Sequence, residues 1–297
     1  MKGIKKTWPL HALIFPALLL TIIFMYVPMF GLVIAFQDYK PWLGLAGSEW
    51  VGLDHFRNLF LFDDSVQVIW NTLIISVLKI VFGLMVPVVF AILLNEVRHM
   101  GLKRSIQTLV YLPHFLSWVI LGGILIDLLS INGGLVNRTL AAIGFDPVFF
   151  LGEGNWFRFT LVVSDIWKEF GFSTIVYLAA LAGINPALYE AAEVDGATRL
   201  KQTLHITLPG MLPIIVVVGT LQLGNVLNAG FDQVFNLYNP LVYSKGDIID
   251  TFVYRNALEE GNFSFATAVG LFKSVISFIL IVISYRLADK YANYRIW

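Results

Sequence analysis

Cysteine is missing altogether from the 297 residues. That absence removes disulfide frameworks, thiolate zinc sites, iron–sulfur clusters and cysteine nucleophiles from consideration. Charge is scarce as well. Only 13% of residues are Asp, Glu, Lys or Arg, about half the roughly 25% of a soluble globular chain. Neither sign is in excess, with 20 Lys+Arg against 20 Asp+Glu, so nucleic acid is not an expected partner. The five histidines, His11, His55, His99, His114 and His205, are scattered and show no ligand spacing such as H-E-x-x-H. No metal site and no catalytic residue is expected. What the chain has in abundance is hydrophobic side chains, 58% of the total, with a mean hydropathy of +0.76. Such a chain lacks the polar residues to cover a water-exposed surface, and reads as an all-α integral membrane protein.

A hydrocarbon core of about 30 Å takes about 20 mostly apolar residues as helix. Six stretches meet this, near 11–36, 70–95, 105–130, 159–184, 212–234 and 264–286. Their long unbroken apolar runs, such as Thr72 to Leu94, point to helices; a barrel strand alternates over about ten residues. The first stretch, which carries Pro16 and Pro28, is too long for a signal-peptide core and lacks a small-residue cleavage site. It is expected to stay as a span. With the N-terminus inside, the inner segments hold eleven Lys/Arg (Lys2, Lys5, Lys6, Arg98, Lys103, Arg104, Arg199, Lys201, Arg286, Lys290 and Arg295) and the longer outer loops six (Lys40, Arg57, Arg138, Arg158, Lys245 and Arg255). The positive-inside rule then places both termini in the cytoplasm. The expected organisation is a cytoplasmic N-terminus at 1–10, a six-helix domain at 11–286 and a cytoplasmic tail at 287–297.

The cytoplasmic segment between the fourth and fifth spans carries the most information. Asn185 is a good N-cap and Pro186 suits the first helical position. Gly196 interrupts the helix and permits a bend. A second short helix is expected from Ala197 to Leu204, ended by Pro209, with Pro213 opening the fifth span. The small residues Ala191, Ala192, Gly196 and Ala197 leave room for another backbone to approach. A lipid-resting helix would instead show large apolar residues opposite many Lys/Arg. A protein partner is therefore favoured.

The spacing Glu190-Ala191-Ala192, three residues, Gly196, nine residues, Ile206, one residue, Leu208-Pro209 resembles the EAA signature of ABC-importer permeases. All seven fixed positions are met. Asn71-Thr72 and the phrase from Trp50 to Phe60 resemble the carbohydrate-uptake, binding-protein-dependent branch, the MalF-like and more narrowly LplB-like permeases. The likeness covers nearly the whole chain, but the extra spans and external domain of MalF itself are not matched. Its maltose-specific features are not carried over.

The resemblance implies a type I ABC-importer transmembrane domain in the bacterial plasma (cytoplasmic) membrane. Its EAA coupling loop, here 185–210, would sit in a cleft of an ATP-binding subunit. Glu190 would make the charged contact, Ala191 and Ala192 would allow close approach, and Gly196 would bend. Ile206, Leu208 and Pro209 complete the motif, with Leu208 and Pro209 holding the loop against the fifth span. The chain has no G-x-x-x-x-G-K-[ST] phosphate loop, so it is not expected to supply the ATPase itself; no cofactor is expected in this chain, and ATP and Mg would be used by a partner ATPase dimer. The remaining partners implied are a second, different permease, an extracellular solute-binding protein and an oligosaccharide substrate.

Ionisable residues within spans point to function. Asp165, Lys168 and Glu169 fall at i, i+3 and i+4 in the fourth span, beside Trp167. Asn225, Asn228 and Asp232 form an expected stripe on the fifth, along with Gln222 and Gln233. Trp118, Trp167 and Phe231 are candidate stacking groups for sugar rings. Lys79 and Lys273 would pair structurally with acids. Polar groups in spans also simply hydrogen-bond between helices, and for the charged trio an ion-pair role is the stronger expectation. Two other classes stay open on residues alone: an ion-coupled transporter, which would show inverted repeats, and an integral-membrane transferase, which would need clustered acids or histidines at a membrane face.

Overall fold

The computed structural model describes residues 2–292, so the expected ends at 1–10 and 287–297 fall in part outside the described residues. Four helices are long and apolar enough to cross a bilayer unaided, and two bent helix pairs bring the count to six if each pair is one span. The chain forms two compact units. One takes in the chain up to Phe62 together with Phe252–Phe272; the other takes in Asp63–Thr251 and the chain from Lys273 onward.

In the first unit, α1 (Lys2–Thr21) passes into a π turn, Ile22–Tyr26, and a 3-10 segment, Val27–Phe36. Pro28 lacks the donor that a regular α-helix would use, and the backbone changes pitch rather than stopping. Leu10–Phe36 thus remains one candidate span. Every described side chain from Leu10 to Phe30 is exposed, as suits a surface facing hydrocarbon. A short antiparallel pair follows, β1 (Gln37–Asp38) with β2 (Glu49–Trp50), and α2 (Gly44–Gly47) lies between them. Trp50 stacks on Phe36 at 5.7 Å, and Phe56 from α3 (Asp54–Leu61) joins them at 5.5 Å from Phe36.

The second unit is built on two long helices, α4 (Asp63–Asn95) and α8 (Gly154–Ala182), which pack along each other. Between them in sequence come α5 (Met100–Tyr111), α6 (Trp118–Leu129) and α7 (Leu135–Ala142). The expected third span, 105–130, is not one straight helix: Met100–Phe115 and Trp118–Leu129 meet at 101°. Pro113 removes a backbone donor within the 3-10 turn Leu112–Phe115, and Ser117 starts α6 afresh by accepting from the Ile120 N–H at 3.3 Å.

After α8 the chain turns by 68° into α9 (Pro186–Val194). Then come α10 (Arg199–Gln202), a π turn at Thr203–Thr207 and α11 (Leu208–Gly224). The expected stop at Pro209 is not observed; Arg199–Gly224 is a continuous candidate span. In the π turn the Leu208 N–H bonds to the Thr203 carbonyl, five residues back. The ladder has already shifted register where the proline's missing donor falls, so the helix runs on.

The fifth span ends earlier than the expected 234. Its helix stops at Gly224, the chain runs irregularly through residues 225–230, and α12 (Phe231–Leu237) begins after Gly230, whose φ is +95°. The remaining α-helices are α13 (Tyr243–Gly246), α14 (Ile249–Tyr254) and α15 (Phe263–Ala292), the last holding the sixth candidate span. Core side chains from three helices and the break, among them Ile75, Leu161, Phe157, Ala229 and Val234, form one cluster. Val88, Tyr177 and Met211 anchor a second, where α11 lies on α4 and α8.

Candidate functional site: a polar cavity and a bent loop

An open cavity of about 390 Å³ lies among α4, α8, α11 and the break that follows α11. Its polar lining is Ser76 and Lys79 from α4, Asp165, Glu169 and Ser173 from α8, Gln222 from α11, and Asn225 and Asn228 from the break. Asp165 and Glu169 share the wall because residues four apart stand on one helix face. Lys168, at i+3, turns aside: it is buried, and its Nζ donates to the His114 carbonyl at 3.0 Å and to Glu169 Oε1 at 2.7 Å. The charged trio is therefore a paired network. Lys79 Nζ reaches Asp165 Oδ1 at 3.3 Å, and His114 Nδ1 lies 2.7 Å from Glu169 Oε2. Lys273, the other intramembrane lysine expected to pair, meets Asp250 at 2.5 Å.

The expected fifth-span stripe is not a helical stripe. Asn225 and Asn228 come together at the cavity because the helix has ended, and the Asn228 amide donates to Asn225 Oδ1 at 3.3 Å. Asp232 sits in α12, exposed, and does not line the cavity. Neither Trp118 nor Trp167 lines it. The Trp118 ring faces Lys168 Nζ at 5.6 Å, Trp167 is 46% exposed on the outside of α8, and Phe231 stacks on Phe235 at 5.2 Å. Sequence reasoning noted Lys79 and Gln222 as polar residues in spans without assigning them to this wall. Ser76 gave no signal, yet its hydroxyl is buried on the cavity lining with no hydrogen-bond partner, an unusual state for a buried polar group.

The second feature is the bend after α8. Asn185 caps α9 through its side chain, which accepts from the Ala187 N–H at 3.0 Å, and Pro186 takes the first helical position. Gly196 adopts φ +73°, and nothing lies within 4 Å of where its Cβ would be. Glu190, Ala191 and Gly196 are exposed and Ala192 is half-buried. Large apolar side chains stand out beside them, with Val194 89% and Leu200 70% exposed. Ile206 is half-buried in the π turn, while Leu208 and Pro209 sit exposed in the first turn of α11. The bond tying α9 back is between Tyr189 and Thr207, whose hydroxyls lie 3.0 Å apart.

Three apolar helices around a polar cavity, with an exposed helix turned off the end of the fourth span, are the framework of a membrane permease subunit. The chain belongs to the family of binding-protein-dependent transport system inner membrane components, which it matches over residues 80–293. It is 44% identical to the polygalacturonan/rhamnogalacturonan transport system permease protein YteP of Bacillus subtilis strain 168, over 97% of this chain and 90% of that one. It is 43% identical to protein LplB of the same organism, over 98% and 92%. Its fold is similar to that of a chain in the crystal structure of a bacterial ABC transporter involved in the import of the acidic polysaccharide alginate, with TM-score 0.90, 41% identity and 98% of each chain covered. The same figures, with 97% of the other chain covered, hold for that transporter in complex with an alginate pentasaccharide-bound periplasmic protein. The protein is thus a multi-pass permease of the bacterial plasma membrane with the type I ABC-importer fold, of the carbohydrate-transport kind. The ion-coupled and transferase readings give way to it.

Proposed function

We propose that the chain forms half of the pathway of an ATP-driven oligosaccharide importer, paired with a second, different permease. An extracellular solute-binding protein would deliver the saccharide, and a separate ATPase dimer would bind ATP and Mg and grip the coupling loop. Both termini would lie in the cytoplasm. The saccharides would be of the uronic-rich kind, since the relative YteP is named for polygalacturonan and rhamnogalacturonan and the similar solved transporter for alginate. Asn225, Asn228, Asp165 and Glu169 would meet sugar hydroxyls, which amides and carboxylates recognise by hydrogen bonding. Glu190, Ala191, Ala192 and Gly196 would be the contact to the ATPase.

The observation that carries this reading is the exposed α9 and its left-handed Gly196. A surface that combines small residues with exposed large apolar side chains such as Val194 and Leu200 suits a protein cleft better than water. The test is uptake by proteoliposomes holding this chain with candidate sister permease, ATPase and binding protein, offered labelled oligogalacturonides and neutral galacto-oligosaccharides. Uptake of the former that requires ATP and every subunit is expected. Uptake by this chain alone in ATP-free vesicles would overturn the proposal.

A further inference from the structure

Three acceptors converge on Lys79 Nζ. Asp165 Oδ1 of α8 lies at 3.3 Å, the Ala229 carbonyl at 2.7 Å, and Gln233 Oε1 of α12 completes the set. An ammonium has three donors and no acceptor, so the charge is fully engaged within the protein, and the side chain is only 9% exposed. Gln233 is itself buried and anchored, its amide donating to the Leu161 carbonyl and to Ser164 Oγ, both at 2.8 Å. The middle acceptor, Ala229, lies in the irregular segment that follows α11. Non-helical backbone within a span is tolerated where protein or a water-filled cavity satisfies its carbonyls, and for Ala229, on the cavity lining, it is Lys79 that supplies the bond. The next residue, Gly230, stands at φ +95°, and a Cβ there would come within 3.0 Å of the ammonium. The glycine and the lysine fit one another: the left-handed turn brings the chain close enough for the bond, and no side chain intervenes.

We infer that Lys79 is a positioning residue that pins the break at residues 225–230, and so holds the Asn225 and Asn228 amides on the cavity wall. It is not a cation displayed to the substrate. The importance of this for transport rests on the proposed role of the cavity; the pinning itself does not, and its test uses no substrate, ATPase or binding protein.

Because the chain has no cysteine, Asn228→Cys offers a single thiol at the break. The full-length protein in nanodiscs is labelled with a small water-soluble maleimide. Adding Lys79→Met is expected to change the labelling rate by on the order of tenfold, the factor that goes with losing one charge-assisted hydrogen bond. Adding Asp165→Asn to Lys79→Met removes the leftover carboxylate charge but not the orphaned Ala229 carbonyl, so the altered rate should persist. Gly230→Ala, which keeps every charge, should shift the rate in the same direction. Should Lys79→Met fail to insert, the Gly230→Ala arm decides alone. An unchanged rate in Lys79→Met, or a normal rate restored by Asp165→Asn, would overturn the inference, since Lys79 would then be a bystander or merely the counter-ion of Asp165. An unchanged rate in Gly230→Ala counts against it equally.

Discussion

Arg199 and Glu96, 103 residues apart in sequence, meet as an ion pair. Glu96 directly follows α4, and Arg199 opens α10 three residues beyond the bend at Gly196. The loop beyond the bend is thus tied to the helix that also carries Lys79. Both side chains are about half exposed, at 62% and 46%, and such a pair contributes about 0–1 kcal/mol to stability. Its larger effect is expected in coupling. Glu96→Gln should leave the folded yield within error of wild type while lowering ATP-driven uptake several-fold at unchanged ATPase rate. The exchange Glu96→Arg with Arg199→Glu should recover uptake. Wild-type uptake in Glu96→Gln would show that the pair carries no motion.

Gly196 separates the cost of folding from that of docking. Its φ of +73° disfavours any L side chain, but the space around it is open. Alanine and tryptophan there should therefore destabilise the isolated chain alike, by about 1–2 kcal/mol, the usual penalty of the left-handed region. They should differ only when a partner approaches. ATPase capture is expected to survive Gly196→Ala and to be lost in Gly196→Trp, and Glu190→Lys should uncouple hydrolysis from uptake without affecting insertion. Equal capture by both glycine variants, read by co-purification, would remove the partner from this surface.

Helix crossing depends on Gly171 in α8. A Cβ there would stand 2.0 Å from the Val110 carbonyl oxygen and 2.5 Å from its carbon. Both are backbone atoms of α5, which cannot swing aside as a side chain would. Small residues are what permit such close approach between membrane helices. Gly171→Ala should force α5 and α8 apart and destabilise by roughly 1–3 kcal/mol, seen as a lower melting point in detergent. By contrast Gly123, with nothing within 4 Å of where a Cβ would stand, should accept alanine without loss.

Much of this was legible in the residue order, and most of the parts that were not share one cause. Run length and polarity revealed the helical spans, because burial in hydrocarbon acts on each segment alone. The Asn185 cap and the Gly196 bend were equally local. Asp165 and Glu169 fell on one face by helix geometry. The break at residues 225–230 was hidden because it depends on distant partners, and at residues 112–117 Pro113 and Ser117 mark the break only in part. The stretch Asn225-Val226-Leu227-Asn228-Ala229-Gly230 is apolar enough to continue a helix, and what satisfies its broken end is Lys79, 150 residues earlier than Ala229. Likewise the turn before α6 is fastened by Lys168 and Glu169 of α8. Pro209 misled for the opposite reason: a π turn just before it absorbs the missing hydrogen bond.

The Lys273–Asp250 pair tests how much an ion pair matters here once one partner is lost. The two side chains are 15% and 28% exposed and their charged atoms are 2.5 Å apart. Removing one partner of a fully buried pair costs about 3–5 kcal/mol, while replacing both with apolar groups is often neutral. Partial exposure lowers the first figure, so Lys273→Met should destabilise by about 2 kcal/mol. Asp250→Leu in the same background should return most of that loss, since the stranded carboxylate is then gone. Tryptophan fluorescence from the eight tryptophans during thermal unfolding gives the cycle. A double variant as unstable as the single one would mean that the pair holds α14 and α15 by its geometry, not by avoiding an unpaired charge.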